Sequence, residues 1–308
     1  MPALTTTPSA LAKTVAHEIL ADTAAALPRW VAFFRDLHAH PELAFRETRT
    51  AGLLAASLTA AGFTVTTRVG GTGVVGLLRN GTGPVVMLRG HMDGRPMLEQ
   101  TDLAWRSRAT QTVGGVATPV MHACGHDMQV TALAAAADVL EQASDRWRGT
   151  LMIVGQPAED EGAGARAMLD DGLFTRFPRP DVVLGQHVGP FAVGRVEHPT
   201  APWTSTVTDR VQSAHEALVP GGVRRRPCRM GCDDSAEFGI AGDRSPGPEI
   251  PSAFWLWGGM DPARFSDDEV GPDEGTGPHS ARFELVDAPA IDVGRKLLVA
   301  AALEYLRT

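Results

Sequence analysis

Four short segments of this chain concentrate side chains that can hold a cation or move a proton. The densest is His122-Ala123-Cys124-Gly125-His126-Asp127. Cys124 and His126 are two apart, so an extended backbone would point both to one side. A thiolate and an imidazole placed in that way can close on one divalent ion. Taken alone, the pair suits a small buried cysteine beside loop histidines about equally well. Gln156-Pro157-Ala158-Glu159-Asp160-Glu161-Gly162 sets three consecutive acids directly after the apolar run Leu151–Val154. Adjacent acids can divide labour, one ligating a metal while the other carries protons. An acidic helix N-terminus would explain one or two of them but three less well. Gly185-Gln186-His187-Val188 delivers a histidine after the apolar run Val182–Leu184, and Gly90-His91-Met92-Asp93-Gly94 follows Val85–Leu88 in the same manner. A single strand-end histidine is usually a satisfied polar residue. Four strand ends bearing His, Cys, Asp or Glu favour a metal site at the carboxyl edge of a sheet, where open α/β folds bind ligands.

The elements that must position these groups follow from the apolar rhythm. A helical period runs through residues 8–26, through 28–38 (Trp30, Phe33, Phe34, Leu37) and from Glu47 to Ala61. The period then shortens to β-rich runs at Phe63–Val69, Gly73–Arg79 and Val85–Arg89. Asn80-Gly81 lies between the second and third of these, which are expected to form a hairpin. Residues 127–143 read as a buried helix with Asp127 at its N-cap, Leu151–Val154 and Val182–Leu184 as strands covered on both faces, and 163–170 as a short helix closing near Gly172. Residues 198–230 are Pro- and Arg-rich with one helix at Thr208–Leu218. Residues 241–281, rich in Gly, Pro and Asp, read as loop-heavy, and a last amphipathic helix spans 289–306. The fold class expected is α/β, a mixed and mostly parallel sheet with helices on both faces.

Composition narrows the function classes. The 28 basic and 36 acidic residues give a net charge of −8, which argues against a nucleic-acid partner. No apolar run approaches the roughly 18 residues of a membrane span. Lys13, His17 and Glu18 interrupt the most apolar part of the first 27 residues, so an export signal is not expected there, and three cysteines make no disulfide framework. A cytoplasmic location is the expectation.

The sequence also resembles the two-metal aminoacylase/carboxypeptidase metallopeptidases, and among them the hippurate hydrolase, N-acyl-amino-acid amidohydrolase and auxin-conjugate hydrolase branch. The resemblance rests on Asp36-Leu37-His38-Ala39-His40-Pro41-Glu42-Leu43, Arg49-Thr50-Ala51, Met121–Asp127, Gln156–Asp160, Gly164-Ala165-Arg166-Ala167-Met168, Met230-Gly231-Cys232-Asp233-Asp234 and Pro278-His279-Ser280-Ala281-Arg282-Phe283, in that order. It implies hydrolysis of an amide bond in N-acyl amino acids or related small amides, with two divalent ions (Zn, Mn, Co or Ni). It assigns Cys124, His126, Asp160, His187 and His279 as ligands, Glu159 as the general base, and Asp93 as the acid that orients a ligand histidine. The chain departs from the pattern in four ways, one of them Cys232-Asp233-Asp234-Ser235 where the family has Ser-Glu/Asp-Asp-Phe. His91 stands where the branch carries an acid; a histidine there binds metal in the peptidase branches, and here it is an added ligand or only a neighbour. Met128-Gln129 replace Gly-His after Asp127. The inserted lid and dimerisation domain of the family is missing near residues 198–207, so that the chain reads as a helical extension (1–27) followed by one catalytic domain (28–308). With that surface gone, a monomer or a non-standard oligomer is expected; the alternatives to an amidohydrolase are a lid-less, weakly active or inactive metal-binding homologue and a small-peptide exo- or dipeptidase.

Overall fold

Segments whose side chains are apolar on both faces become the middle of the sheet. The computed structural model describes residues 10–21, 23–200, 203–227, 236–239, 248–265 and 276–306. In chain order the elements are α1 (Ala10–Ala21), α2 (Leu27–Ala39), α3 (Thr48–Ala60), β1 (Thr64–Val69), β2 (Gly73–Asn80), β3 (Val85–His91), β4 (Thr110–Val113), β5 (Val116–Pro119), α4 (His126–Gln142), β6 (Gly149–Gln156), α5 (Gly164–Asp170), α6 (Leu173–Arg176), β7 (Val182–Ala192), β8 (Val196–Pro199), α7 (Ser205–Leu218), β9 (Val223–Arg226), α8 (Ala236–Gly239), β10 (Ser252–Met260) and α9 (Asp287–Leu303). Eight strands form one sheet in the order β1-β2-β6-β3-β7-β10-β8-β9. The central run β6-β3-β7-β10 is parallel, while β1 on β2, β2 on β6 and β8 on β10 are antiparallel. The mixed α/β sheet read from the sequence is therefore the observed one.

Alternation along the strands assigns each side chain to a layer. Val86, Leu88, Leu151 and Ile153 face a large core with α2, α3, α4, α7 and α9. Met87, Met152, Val154 and Val183 face a smaller one with Met168 of α5, Phe174 of α6 and Phe238 of α8. Burying each large aliphatic side chain stabilises by about 1.5–3 kcal/mol before conformational entropy is counted. Helix α4 is buried over nearly its whole length, and its run Ala134–Ala137 lets it lie close against its neighbours. Val15, Ala16 and Leu20 of α1 join the same large core.

Three expectations are corrected. The strands at 73–79 and 85–89 do not form a hairpin: β2 pairs with β1, and β6 lies between β2 and β3. Asn80 explains this, because its side-chain amide donates to the Trp147 carbonyl at 2.7 Å and so ties the loop to the entry of β6 instead of closing a two-residue turn. The loop-heavy reading of 241–281 overlooks β10, which is buried throughout, Trp255 and Trp257 included. Its Pro and Gly neighbours dilute the composition while the strand itself is continuous. Asp127 is not the N-cap of α4. Gly125 takes that place at φ 75°, and the Asp127 carboxylate accepts from the Met128 N–H at 2.9 Å.

Candidate metal centre

Strands β6, β3 and β7 lie side by side and parallel; β3 ends at His91 and β6 at Gln156, but β7 continues to Ala192, so the expected strand-end place of His187 is corrected to mid-strand. His91 is level with Gln156, and Arg89 with Gly185. That register brings His91, the loop Pro157–Asp160 and His187 together. The fourth segment arrives by another route. Met121 bridges to Arg95, and the chain then turns at Gly125, where a Cβ would lie 2.4 Å from Val188. Cys124 and His126 therefore meet across a tight turn into α4. The expectation of an extended segment, and of a fourth strand end, is corrected on that point.

The side chains converge in two groups. His91, His126, Glu159 and His187 form the inner one, and Cys124, Asp160 and His279 the outer one. Asp93, His126 and Asp160 link them. Within each group the candidate ligand atoms lie within 4.8 Å of one another. The Cys124 Sγ is 3.3 Å from Nε2 of both His187 and His279. The His126 Nδ1 meets the Asp93 carbonyl at 2.8 Å and its carboxylate at 3.1 Å, which turns Nε2 inward to 3.4 Å from Glu159. A carboxylate behind a histidine fixes the ring and its tautomer in this way at metal sites. The His187 Nδ1 is likewise occupied, by the Val188 carbonyl at 2.7 Å. The His91 Nδ1 lies 4.0 Å from Glu159, and its Nε2 meets the Arg89 guanidinium.

These donors suit a divalent cation. The His126 Nε2 and one Asp160 oxygen, Oδ2, are buried with no hydrogen-bond partner among the described residues. A buried lone pair left unmet is costly, and an ion would meet it. The electrostatics agree. Burial would lower the basicity of His126, but Asp93, Cys124 and Glu159 outweigh it and hold the ring well above its ordinary value. Burial likewise opposes Asp93 ionisation, yet His126 and the backbone N–H groups of Asp160 and Glu159 keep its carboxyl below the usual range. Burial pushes the Cys124 thiol up, so the thiolate needs a cation beside it. Burial and then Arg89 drive His91 well below its usual value.

The backbone is strained where the site needs it. Ala158, just before Glu159, has φ 47°, and His279 has φ 64°. Both are non-glycine residues in the left-handed region, a conformation kept only when surrounding structure enforces it. Ala158 N–H donates to Glu47 at 2.9 Å, and His279 N–H to the Ala123 carbonyl at 2.8 Å. Glu47 is fully buried, and burial lifts its carboxyl to about 7 against its hydrogen bonds from Thr72 and Ala158.

All seven residues expected to carry chemistry, Asp93, Cys124, His126, Glu159, Asp160, His187 and His279, are brought to this one site. His91 joins them. His198 and His215, near the seam, lie elsewhere and bond each other. Met230–Asp234 lie outside the described residues. Sequence reasoning missed the supports: Glu47, Arg95, and His38, held between Asp127 at 2.7 Å and Glu99 at 3.0 Å. The Arg49–Asp36 pair and the Glu42 carboxylate, which accepts from the Arg49 and Thr50 N–H groups, show that two of the quoted motifs are scaffold.

Comparison with known proteins fits this geometry. The sequence profile of Peptidase family M20/M25/M40 matches residues 87–304. The chain is 42% identical over 156 residues to hippurate hydrolase of Campylobacter jejuni, a match over 50% of this chain and 38% of that protein. It is 34% identical over 196 residues to N-acetyl-L-cysteine deacetylase of Bacillus subtilis, over 61% and 44% respectively. The chain thus spans less than half the length of these curated relatives. The fold matches that of the Bacillus subtilis YXEP protein, described as a dinuclear metal binding peptidase from the M20 family, with TM-score 0.63 and 21% identity over 92% of this chain and 99% of that one.

Proposed function

Since the chain belongs to peptidase family M20/M25/M40, we propose that it is a metal-dependent amidohydrolase for N-acyl amino acids or related small amides. The observation that carries this reading is the convergence of Cys124, His126, Asp160, His187 and His279 around Glu159, with buried lone pairs turned inward. Hippurate hydrolase and N-acetyl-L-cysteine deacetylase, the named relatives, support the substrate class. Divalent ions bound to those donors would polarise an amide carbonyl and lower the pKa of water.

The chain's own residues supply the remainder. Glu159, beside the inward Nε2 of His126, takes the proton from water and returns it to the leaving nitrogen. With a cation in place of the proton that the surrounding acids favour on this ring, Asp93 would keep His126 protonated at Nδ1 and leave Nε2 as the donor. Residues 28–308 make up the catalytic domain, with 1–27 as a helical extension. In the structure β8 ends at Pro199 and α7 begins at Ser205, too few residues apart to hold an inserted domain, which supports the absence of a lid there. That observation also favours a second reading, a lid-less homologue that binds metal and turns over weakly, and it supports a chain without the usual dimer surface. Among the described residues no helix is long and apolar enough to cross a membrane.

The test is metal analysis followed by a panel of N-acyl amino acids, with Glu159→Gln as control. Under the amidohydrolase reading, turnover falls by about 10²–10⁴ in that variant while metal content is unchanged. Metal binding without Glu159-dependent turnover selects the second reading. A chain that takes up no Mn or Zn, and gains no thermal stability from either, sinks both.

A further inference from the structure

Arg95 stands inside the outer donor group. Its Nη1 lies 2.5 Å from Asp160 Oδ1 and 3.2 Å from the His279 Nε2. Two of the three outer donors thus already face a cation. A guanidinium stays protonated at any working pH and only donates. A divalent ion bound to the same Asp160 oxygen and the same imidazole nitrogen would sit against it, charge to charge.

The base of the side chain cannot retreat. Arg95 N–H donates to the Met121 carbonyl at 2.8 Å, and Met121 N–H returns to the Arg95 carbonyl at 3.0 Å. Gly94 before it donates to the Glu42 carbonyl at 2.6 Å and is packed so closely that a Cβ would lie 3.1 Å from Pro41. Only a swing of the long side chain could clear the position. That swing would give up a charge-assisted pair in a half-buried setting, the strong kind of hydrogen bond. Meanwhile Asp160 divides its two oxygens. Oδ1 is taken by Arg95, while Oδ2 is the buried atom left without a hydrogen-bond partner among the described residues.

We propose that Arg95 takes the place of the second metal ion, so that the chain binds one divalent ion, on the His126 and His187 side, with the Cys124–Asp160–His279 position held by the guanidinium. This rests on the metal-dependent reading above and narrows it from two ions to one. The outer residues still matter under this arrangement, because Arg95 and Asp160 together fix the His279 ring.

The experiment is metal stoichiometry. The full chain is stripped with a chelator, titrated with Mn(II) alone and measured by elemental analysis and by electron paramagnetic resonance. The expected result is one equivalent of Mn per wild-type chain, with the six-line signal of an isolated ion. Arg95→Leu and Arg95→Gln should take up two equivalents and show the broadened spectrum of a coupled pair, whereas Arg95→Lys should stay at one. Two equivalents in the wild type, or one in every variant, overturns the proposal and leaves the amidohydrolase reading intact. No uptake in the wild type overturns both.

Discussion

Two histidine clusters in this protein are built from the same residue and used in opposite ways. At the sheet edge, His126 and His187 spend their outer nitrogens on Asp93 and on the Val188 carbonyl, so their inner nitrogens face Glu159 and Cys124. Between β8 and α7, His198 Nε2 and His215 Nδ1 meet each other at 3.1 Å, and the His215 Nε2 meets the Leu297 carbonyl at 3.1 Å. Trp255 closes this second cluster, its ring centroid 4.8 Å from that of His215. The first has carboxylates behind and beside it, and His126 is held well above its ordinary value despite burial. In the second, burial pulls His215 down to about 3, and burial with His215 and Arg225 pulls His198 well below its usual value. Burial is common to both. What differs is whether acids face the ring and whether a nitrogen is left pointing at a cavity of donors.

The largest expected break in this contrast comes from Asp93→Asn. It removes the charge behind His126 and should weaken Mn or Zn affinity about 10–100-fold, read by titration calorimetry. The His198–His215 pair should be indifferent to metal. An Asp93→Asn chain with unchanged affinity would mean that His126 is not a ligand.

The next effect is on acid stability. His215 binds its proton in the unfolded chain near pH 6.5 but in the folded chain only near 3. The unfolded state therefore holds more protons in that window, and stability present above about pH 6.5 is lost as pH falls towards 3. His215→Gln should flatten this slope in urea melts, whatever it does to stability at neutral pH. An unchanged slope would show that the ring is not buried as described.

The smallest effect sharpens the comparison from the other side. His38 is buried too, but its hydrogen bonds to Asp127 and Glu99 overcome that burial and raise it to about 10. Its contribution is complete below about pH 6.5 and fades as pH rises through 10. His38→Gln should remove that alkaline loss, again measured by urea melts, while leaving the acid slope of His215 in place.

Much of the fold was legible because apolar periodicity is a local property. β6 and α4 announce themselves by runs that have no polar face. β10 did not, since it sits between Pro- and Gly-rich flanks that dominate any average over the region. The site was legible for a related reason. Parallel strands placed side by side keep their apolar runs in register, so residues following three such runs, His91, Glu159-Asp160 and His187, were bound to meet once those runs became neighbours, although β7 itself runs on to Ala192. Arg95 was not legible, because nothing local distinguishes a loop arginine that reaches solvent from one that reaches Asp160.

The sequence alone determined the types of donor, their order and the apolar runs that precede them, since these follow from side-chain chemistry and period. Tertiary structure decided what each nitrogen and oxygen faces. Whether an imidazole presents a lone pair or a proton depends on its second partner; for His187 that is the next carbonyl, but for His126 and His215 it comes from the loop after a distant strand and from a separate helix. Those two pairings are set by tertiary packing, which no window of sequence contains.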